Sequence, residues 1–575
     1  MDFSKINLED HQTLARTIVL EAVGRNFRDR SDFQKFRNRI IKRHEGRIFH
    51  NLYFVKAYED LLKEGKMEPN EELLGFIQKR KVRTMSGVAP VTVLTKPFPC
   101  PGKCTYCPTD VRMPKSYLPS QPAAQRGFRQ RFDPYSQVFV RLKALEMTGH
   151  QVSKVELRIL GGTWSSYPKT YQTWFVKRCL QAMNEYRIVR SSEFAVWSSR
   201  NTIVSRYGSD EVNTLMVKSI GGGSMKFEDV VRGNETAAVR CIGINIETRP
   251  DWIDEAEVIR LRRLGVTKVE IGVQTTDDRV QELTRRGHGL QAVRDATRLL
   301  KDAGFKISYH MMPNLEGSTV ELDKRMIGEL FEGSDYQPDY LKIYPCVVIP
   351  RTSLSVRYRK GLYQPYDDET LEEVLLENMK SVPEWCRIDR VARDIPAGDI
   401  EAGTKISNIR QILEQWLEKE GTPCRDIRAR EIKGEDFDPT DVQLIVREYE
   451  ASGGRELFLS YEDVKQDKLI ALLRLRFSGR TFFDELKGAA LIREVHVYGR
   501  QIAVGEGNEA KEKMKNEGVL QKQHQGWGGK LMREAERMAF ESGYQKIAVI
   551  AGIGTREYYR KFGYVLAGTY MIKAL

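Results

Sequence analysis

The chain has 575 residues, of which 41% are hydrophobic and 30% are charged. This balance excludes a mainly disordered chain, and the length predicts roughly three or four domains. Lys and Arg number 92 against 79 Asp and Glu, so the net charge is +13. The start of the chain does not resemble a secretory signal, and no apolar run approaches the ~18 residues of a membrane span. We therefore expect a cytoplasmic protein without membrane contact.

Residues 1–89 are predicted to form a basic helical region. Apolar residues recur at helical spacing within residues 14–22 and 61–77. Residues 25–47 carry nine Lys or Arg against three acidic side chains, and a second basic cluster contains Lys79, Arg80 and Lys81. A solvated helix face explains one basic run, but two such clusters favour a polyanionic partner such as a nucleic acid.

Residues 90–345 are predicted to form an α/β unit. Short β-branched runs alternate with amphipathic stretches, and strands that alternate with helices form parallel sheets or barrels. The runs lie at 91–94, 154–160, 240–246, 268–273, 305–311 and 340–343. The proline-rich residues 346–437 are interpreted as a linker with its own packing. Residues 438–575 are expected to form a second domain, in which four antiparallel strands precede a helix, a strand, a short helix and a last strand.

Three of the eight cysteines fall within eight residues, directly after the first predicted barrel strand. Cys100, Cys104 and Cys107 have the spacing C-x3-C-x2-C, and soft thiolates on one loop can bind one metal centre. A structural zinc site is the alternative, but such sites normally have four protein ligands, and no fourth Cys or His lies nearby. Three thiolates fit a [4Fe-4S] cluster with one open iron.

This spacing, with an aromatic residue just before the third cysteine, resembles the radical S-adenosylmethionine superfamily. The resemblance implies that the open iron binds S-adenosylmethionine, whose reductive cleavage gives a 5′-deoxyadenosyl radical. Polar or glycine residues at the ends of successive predicted strands match the superfamily's nucleotide site, and barrel active sites lie at that edge. The residues that match are Gly161, Gly162, Glu247, Arg249 and Gln274.

The C-terminal domain resembles the GNAT acetyltransferases. The sequence Q-x-x-G-x-G at 523–528 precedes a predicted helix, where backbone N–H groups can bind a pyrophosphate. A plain turn has the same composition. By the resemblance, coenzyme A would contact Ile492, Arg493, Glu494, Val495, Gln525, Gly526, Trp527 and Gly528. Tyr558 and Tyr559 would lie at the acyl end, with core packing as the alternative for each.

The combination of both domains resembles the tRNA uridine acetyltransferase family of the Elongator catalytic subunit. The resemblance implies that a radical formed on the acetyl group of acetyl-CoA adds to carbon 5 of the wobble uridine of a tRNA. Hydrolysis of the thioester then leaves 5-carboxymethyluridine. Lys169 matches a family lysine that holds the acyl donor, with a surface lysine as the alternative. Lys79, Arg80, Lys81, Arg126 and Arg129 would contact RNA.

The short spacing of the cluster cysteines further implies an enzyme that works without large partner subunits, by itself or as a homodimer. An electron donor for the cluster is expected. Two alternatives stay open: a protein lysine acetyltransferase with a structural cluster, and an RNA-binding subunit without chemistry. Cys346, Cys386 and Cys424 would form a structural metal site if the fold joined them, but buried free thiols are the preferred interpretation.

Overall fold

The computed structural model describes residues 12–43, 51–77, 87–197, 225–433, 435, 437–498 and 526–575. Four helices come first: α1 (Gln12–Ala22), α2 (Arg30–Arg43), α3 (Asn51–Lys63) and α4 (Glu71–Ile77). Their apolar faces pack into a core of their own, which includes Ile18, Phe33, Phe54, Leu61 and Ile77. The charged positions of α2 lie outside this core, as expected for an amphipathic helix.

A seven-stranded parallel sheet follows, in which each strand pairs with the next along the chain. Its strands are β1 (Ala89–Leu94), β2 (Lys154–Leu160), β3 (Arg240–Thr248), β4 (Val266–Gln274), β5 (Lys306–Met311), β6 (Tyr340–Ile343) and β7 (Arg387–Val391). Within the described residues the first and last strands do not pair with each other, so the sheet is an open, partial barrel. One cavity is lined by residues from all seven strands, which shows that the sheet curves around a shared interior.

Helices connect the strands, as parallel pairing requires. Before β4 they are α5 (Pro122–Arg129), α6 (Pro134–Glu146), α7 (Lys169–Trp197), α8 (Phe227–Thr236) and α9 (Glu255–Arg263). From β4 to β7 they are α10 (Asp278–Leu283), α11 (Leu290–Asp302), α12 (Val320–Arg325), α13 (Glu329–Glu332), α14 (Ser353–Arg359) and α15 (Asp368–Lys380). Two more helices, α16 (Ile409–Lys419) and α17 (Ile427–Arg430), follow the sheet.

The sheet extends beyond the boundary expected at residue 345. Strand β7 lies inside the region 346–437 that was interpreted as a linker, and its Ile388 pairs with Leu341 of β6. The five-residue strand has three charged and only two apolar residues, and prolines surround it in the sequence. Its apolar content is therefore too low to separate it from a loop by sequence alone.

A second seven-stranded sheet forms the C-terminal part of the chain, in the order β13-β14-β12-β11-β10-β9-β8. Its strands are β8 (Val442–Ala451), β9 (Gly454–Asp463), β10 (Lys468–Phe477), β11 (Ala489–Val497), β12 (Lys546–Val549), β13 (Val565–Ala567) and β14 (Tyr570–Ala574). The pair β11–β12 is parallel and the other pairs are antiparallel. Helices α18 (Trp527–Glu541) and α19 (Arg556–Arg560) complete this part, which ends in two strands where one was expected.

The second sheet packs against the amino ends of the barrel strands. One hydrophobic core continues from the barrel into this sheet and includes Leu491, Ile553 and Tyr570. Asp339, just before β6, is fully buried there and accepts a hydrogen bond of 2.9 Å from Arg493 of β11. The carboxyl ends of the barrel strands lie at the opposite edge, where the cysteine loop is found and where a ligand could bind. No helix in the described part of the chain is long and apolar enough to cross a bilayer.

Candidate active site

The cysteine loop lies at the carboxyl edge of the barrel. Cys100, Cys104 and Cys107 are partly buried and form no disulfide. Cys104 and Cys107 pack against an apolar cluster that includes Tyr106 and Leu315, and the backbone N–H of Thr105 donates to Thr284 O at 3.0 Å. The loop is therefore anchored to the connection between α10 and α11, with three thiols on one short segment.

Two buried arginines flank these thiols. Arg286 Nη1 donates to Cys104 Sγ at 3.5 Å, while Arg249 forms a two-bond ion pair of 2.8 and 2.9 Å with Asp251. Burial by itself would raise the pKa of Cys104, but the charge and hydrogen bond of Arg286 outweigh it and lower that pKa. Burial and the neighbouring Cys104 raise the pKa of Cys107 to about 11.

The glycine pair after β2 has left-handed backbone angles, with φ of +142° at Gly161 and +77° at Gly162. A Cβ on Gly161 would overlap Thr95 Oγ1. The absence of a side chain at Gly161 therefore lets the backbone approach Thr95, and not the ligand that was expected there. Gly162 is half-buried, and a Cβ there would only contact Lys115. Of the two glycines, Gly162 is therefore the one whose backbone can contact a ligand at the carboxyl edge of the barrel, which we call the barrel mouth.

Other strand ends hold polar atoms that lack a partner. Gln274, at the end of β4, has φ of +79°, and its buried Oε1 has no hydrogen-bond partner in the described residues. The same holds for Nη1 of Arg249. Buried polar groups are normally satisfied, so these atoms fit a bound polar ligand. The soft thiol set fits an iron–sulfur cluster, and the strand ends fit a nucleotide with an amino acid moiety.

A polar cluster inside the barrel mouth was not predicted from the sequence as a set. Glu270 of β4 contacts His310 at 2.7 Å and forms an ion pair with Lys342, whose Nζ also lies 3.9 Å from Glu247 Oε1. Burial would raise the pKa of Glu270, but Lys342 and His310 hold it well below its usual range. Glu247 accepts a hydrogen bond of 2.8 Å from Tyr117.

The signal that could have revealed this cluster is the charge of strands that are otherwise buried. All nine residues of β4 are buried, including Lys268 and Glu270. Charged residues at alternate positions of a buried parallel strand point to a polar interior, because a charge is not buried without partners.

In the second sheet, β11 and β12 separate at one end. Their pairing runs only from Ala489–Lys546 to Ile492–Val549, so residues 493–497 are not paired with β12. The register of β11 against β10 shifts between Ile492 and Glu494, which leaves Arg493 as a bulge. The side chains of Arg493 and Glu494 contact Asp339 and Tyr340 of the barrel. The side chains of Arg493 and Glu494 are therefore held by the barrel and do not point into the gap.

Helix α18 begins beside this gap. Its N-cap Gly526 has φ of +77°, and a Cβ on Gly528 would lie 2.8 Å from Tyr558 OH and 3.5 Å from Val497. Tyr558 is 39% exposed, whereas Tyr559 is only 8% exposed and belongs to the hydrophobic core. The structure thus separates the two tyrosines: the packing alternative fits Tyr559, and Tyr558 faces the gap. Trp527 is buried in the same core, and Gln525 lies outside the described residues.

A cavity of about 300 Å³ lies between the barrel and the second sheet. Glu494, His496 and Tyr498 line it from β11 and the residue that follows this strand, while Arg158, Asn245 and Lys268 line it from the barrel. Asn245 also donates a hydrogen bond to Glu270 in the polar cluster above. The side chain of Asn245 therefore connects the cavity with the polar cluster inside the barrel.

The residues expected to contact RNA or the acyl donor lie in three places. Lys169 is exposed at the first position of α7. Arg129 is exposed at the end of α5, where Arg126 Nη1 donates to Pro122 O at 3.1 Å. Lys79, Arg80 and Lys81 lie outside the described residues.

The three remaining cysteines considered for a metal site do not come together. Cys346 packs in the apolar cluster behind the cysteine loop, whereas Cys386 and Cys424 are buried in the barrel core. Among the described residues, Glu247, Glu270 and His310 are the only set of three or more His, Cys, Asp or Glu side chains whose possible ligand atoms all lie within 4.8 Å of one another, so the three thiols of the cysteine loop are not that close together. The thiols of Cys346, Cys386 and Cys424 are free and buried, as the preferred interpretation has it.

Known proteins resemble this chain along nearly its whole length. Residues 217–326 match the model of the radical SAM superfamily, and residues 338–419 match that of the radical SAM C-terminal domain. A protein of Methanocaldococcus infernus named tRNA uridine(34) acetyltransferase is 39% identical, over 97% of this chain and 98% of its own. A protein of that name from Dehalococcoides mccartyi is 40% identical, over 86% of this chain and 100% of its own.

Relatives also occur in animals. Human Elongator complex protein 3 is 37% identical, over 88% of this chain and 87% of its own. The solved structure of the archaeal Methanocaldococcus infernus Elp3 with an N-terminal deletion has a TM-score of 0.69 and 39% identity, and covers 86% of this chain and 100% of that chain. The cysteine loop, the parallel barrel and these relatives agree, and the chain belongs to the family of tRNA uridine(34) acetyltransferases that includes Elongator complex protein 3.

Proposed function

We propose that this chain is a tRNA uridine(34) acetyltransferase that makes 5-carboxymethyluridine from the wobble uridine of a tRNA. The observation that carries the proposal is the pairing of two half-sites in one molecule. Three thiols lie at the carboxyl edge of the barrel, and a gap between parallel strands lies at its amino edge. A polar cavity is lined by strands of both the barrel and the second sheet.

At the barrel mouth, Cys100, Cys104 and Cys107 would hold a [4Fe-4S] cluster. With S-adenosylmethionine and an electron donor, such a cluster supplies a 5′-deoxyadenosyl radical. The backbone at Gly162 leaves room for the amino group of the nucleotide, Glu247 can accept hydrogen bonds from ribose hydroxyls, and the unpartnered Gln274 Oε1 offers a further acceptor. The apolar cluster that packs against Cys104 and Cys107 covers one side of this site.

The second sheet is proposed to be a GNAT domain that binds acetyl-CoA. The separation of β11 from β12 exposes backbone donors and acceptors of residues 493–497 to an extended ligand, as in strand addition. The N-terminus of the 15-residue helix α18 favours a pyrophosphate at Gly526–Gly528. Tyr558, half-exposed beside this gap, would contact the thioester, while Tyr559 supports it from the core.

The acceptor is proposed to be tRNA, held mainly by phosphate contacts of the basic N-terminal region and of Arg126 and Arg129. Lys169, exposed at the start of α7, would hold the acyl donor near the barrel mouth. The chain is proposed to act without large partner subunits, by itself or as a homodimer. The cytoplasmic location stays a prediction.

Mass spectrometry of tRNA nucleosides tests the proposal. The protein is incubated with tRNA, acetyl-CoA, S-adenosylmethionine and a reductant. We expect 5-carboxymethyluridine to accumulate, and Cys104→Ala, which removes one cluster ligand, to abolish it. Unmodified nucleosides together with acetylated lysines on an added basic peptide would favour the protein acetyltransferase instead.

A further inference from the structure

Arg286 is an unusual buried charge. Eight arginines in the described part of the chain are more than nine-tenths buried. Six of them form ion pairs with carboxylates: Arg249, Arg430, Arg474, Arg476, Arg493 and Arg556. Arg262 donates to two backbone carbonyls and faces the rings of Phe305 and Tyr570. Within the described residues Arg286 forms no ion pair with a carboxylate, and its partners are the carbonyl of Gly272 and the thiol of Cys104.

A buried cation without an anion is costly, because the interior does not replace the hydration that the charge loses. The buried Nε of Arg286 also has no hydrogen-bond partner in the part of the chain that the structure describes. The fold nevertheless places this guanidinium 3.5 Å from the sulfur of Cys104. We therefore expect the negative charge that compensates Arg286 to lie at the cysteine loop.

We propose that Arg286 is the counter-charge of the iron–sulfur cluster and raises its reduction potential. The proposal rests on the cluster part of the proposed function, and is independent of acetyl-CoA and tRNA. A cluster held by three thiolates is anionic, and reduction adds one more negative charge. A positive charge and an N–H donor next to a ligating sulfur stabilise the reduced state more than the oxidised state.

The neighbouring arginines provide the comparison. Arg249 is equally buried, but the charge of Asp251 compensates its own. Arg285 carries the same charge one residue before Arg286, but it is exposed, and water screens it from the cysteine loop. Of these three residues, only Arg286 combines burial, an uncompensated charge and direct contact with a cluster thiol. It is a positioning residue for the electrostatics of the cluster, since it acts through Cys104.

The test uses the full chain with its cluster reconstituted under anaerobic conditions. Iron and sulfide content are measured first, followed by a redox titration monitored by electron paramagnetic resonance without substrates. At the potential where the wild type is half reduced, Arg286→Gln should show a ratio of reduced to oxidised cluster that is at least tenfold lower. For a one-electron couple, this tenfold change corresponds to a midpoint potential of the cluster that is ~59 mV lower. Arg286→Lys, which keeps the charge, should shift less, and Arg285→Gln should not shift.

An unchanged midpoint in a fully loaded Arg286→Gln protein would overturn the proposal, whether or not its affinity for S-adenosylmethionine falls. An equal shift in Arg285→Gln would also overturn it, because the effect would then be one of net charge. If Arg286→Gln does not bind the cluster, Arg286→Lys must bind it, and a loss there contradicts a role through charge. Absence of 5-carboxymethyluridine with a shifted midpoint would refute the proposed function but not this inference.

Discussion

Replacement of Asp339 by Asn tests how the barrel and the C-terminal sheet are held together. Asp339 is fully buried just before β6. It accepts hydrogen bonds of 2.9 Å from Arg493 and from the backbone N–H of Ile307, and lies 3.6 Å from both Lys301 and Arg474. Burial alone would raise the pKa of Asp339, but these three cations outweigh it and hold that pKa well below its usual range.

The size of the effect follows from what the variant leaves behind. An asparagine at this position would keep the shape of the side chain but would remove the negative charge that Arg493 contacts most closely. Removal of one partner of a buried ion pair costs about 3–5 kcal/mol, and here Glu456, 3.5 Å from Arg493, is left as the carboxylate that compensates the buried cations. The exposed pair of Asp335 with Arg294 offers a matched control, since its loss should cost at most about 1 kcal/mol.

The assay is urea unfolding of Asp339→Asn and Asp335→Asn, followed at several pH values. Because the folded pKa of Asp339 is depressed, its contribution is complete above the unfolded carboxyl pKa of about 3.9. It is lost as the pH falls towards the folded value. The wild type should therefore lose more stability than Asp339→Asn between about pH 5 and pH 3. Equal stability of the two variants at pH 7 would refute the reasoning.

Three further predictions concern the two half-sites and the RNA. Single replacements by Ala at the cluster cysteines should abolish bound iron, measured after anaerobic purification, whereas Cys424→Ala, which changes a buried thiol elsewhere, should keep it. Gly528→Val should displace Tyr558 and weaken acetyl-CoA binding at least tenfold in calorimetry, with unchanged iron content. Charge reversal of Lys79, Arg80 and Lys81 should weaken tRNA binding and reduce its salt dependence, without a change in acetyl-CoA affinity; equal salt slopes would contradict phosphate contact.

The sequence was most informative where one pattern was sufficient by itself. The spacing of Cys100, Cys104 and Cys107 needs no tertiary knowledge, because all three ligands lie on one loop. The strands of the C-terminal sheet from β8 to β11 were predicted because each is a short run rich in apolar residues, separated from the next by a few turn-forming or polar residues.

The sequence was least informative where function depends on side chains that meet from distant strands. Glu270, His310 and Lys342 come from three different strands, so their contact depends on barrel curvature and register. Local pattern could not predict that Arg493 turns towards Asp339, because the bulge in β11 decides the direction of that side chain. In the same way, the burial of Tyr559 and the exposure of Tyr558 follow from how α19 packs.

The most direct test of the account is whether the radical formed in the barrel reaches the acetyl group bound by the C-terminal sheet. The protein is incubated with S-adenosylmethionine, a reductant, tRNA and acetyl-CoA that carries deuterium on its methyl group. Mass spectrometry then measures the label in 5′-deoxyadenosine and in the tRNA nucleosides. We expect 5′-deoxyadenosine to gain deuterium and the modified uridine to carry the remaining label. Modified uridine with unlabelled 5′-deoxyadenosine would contradict it.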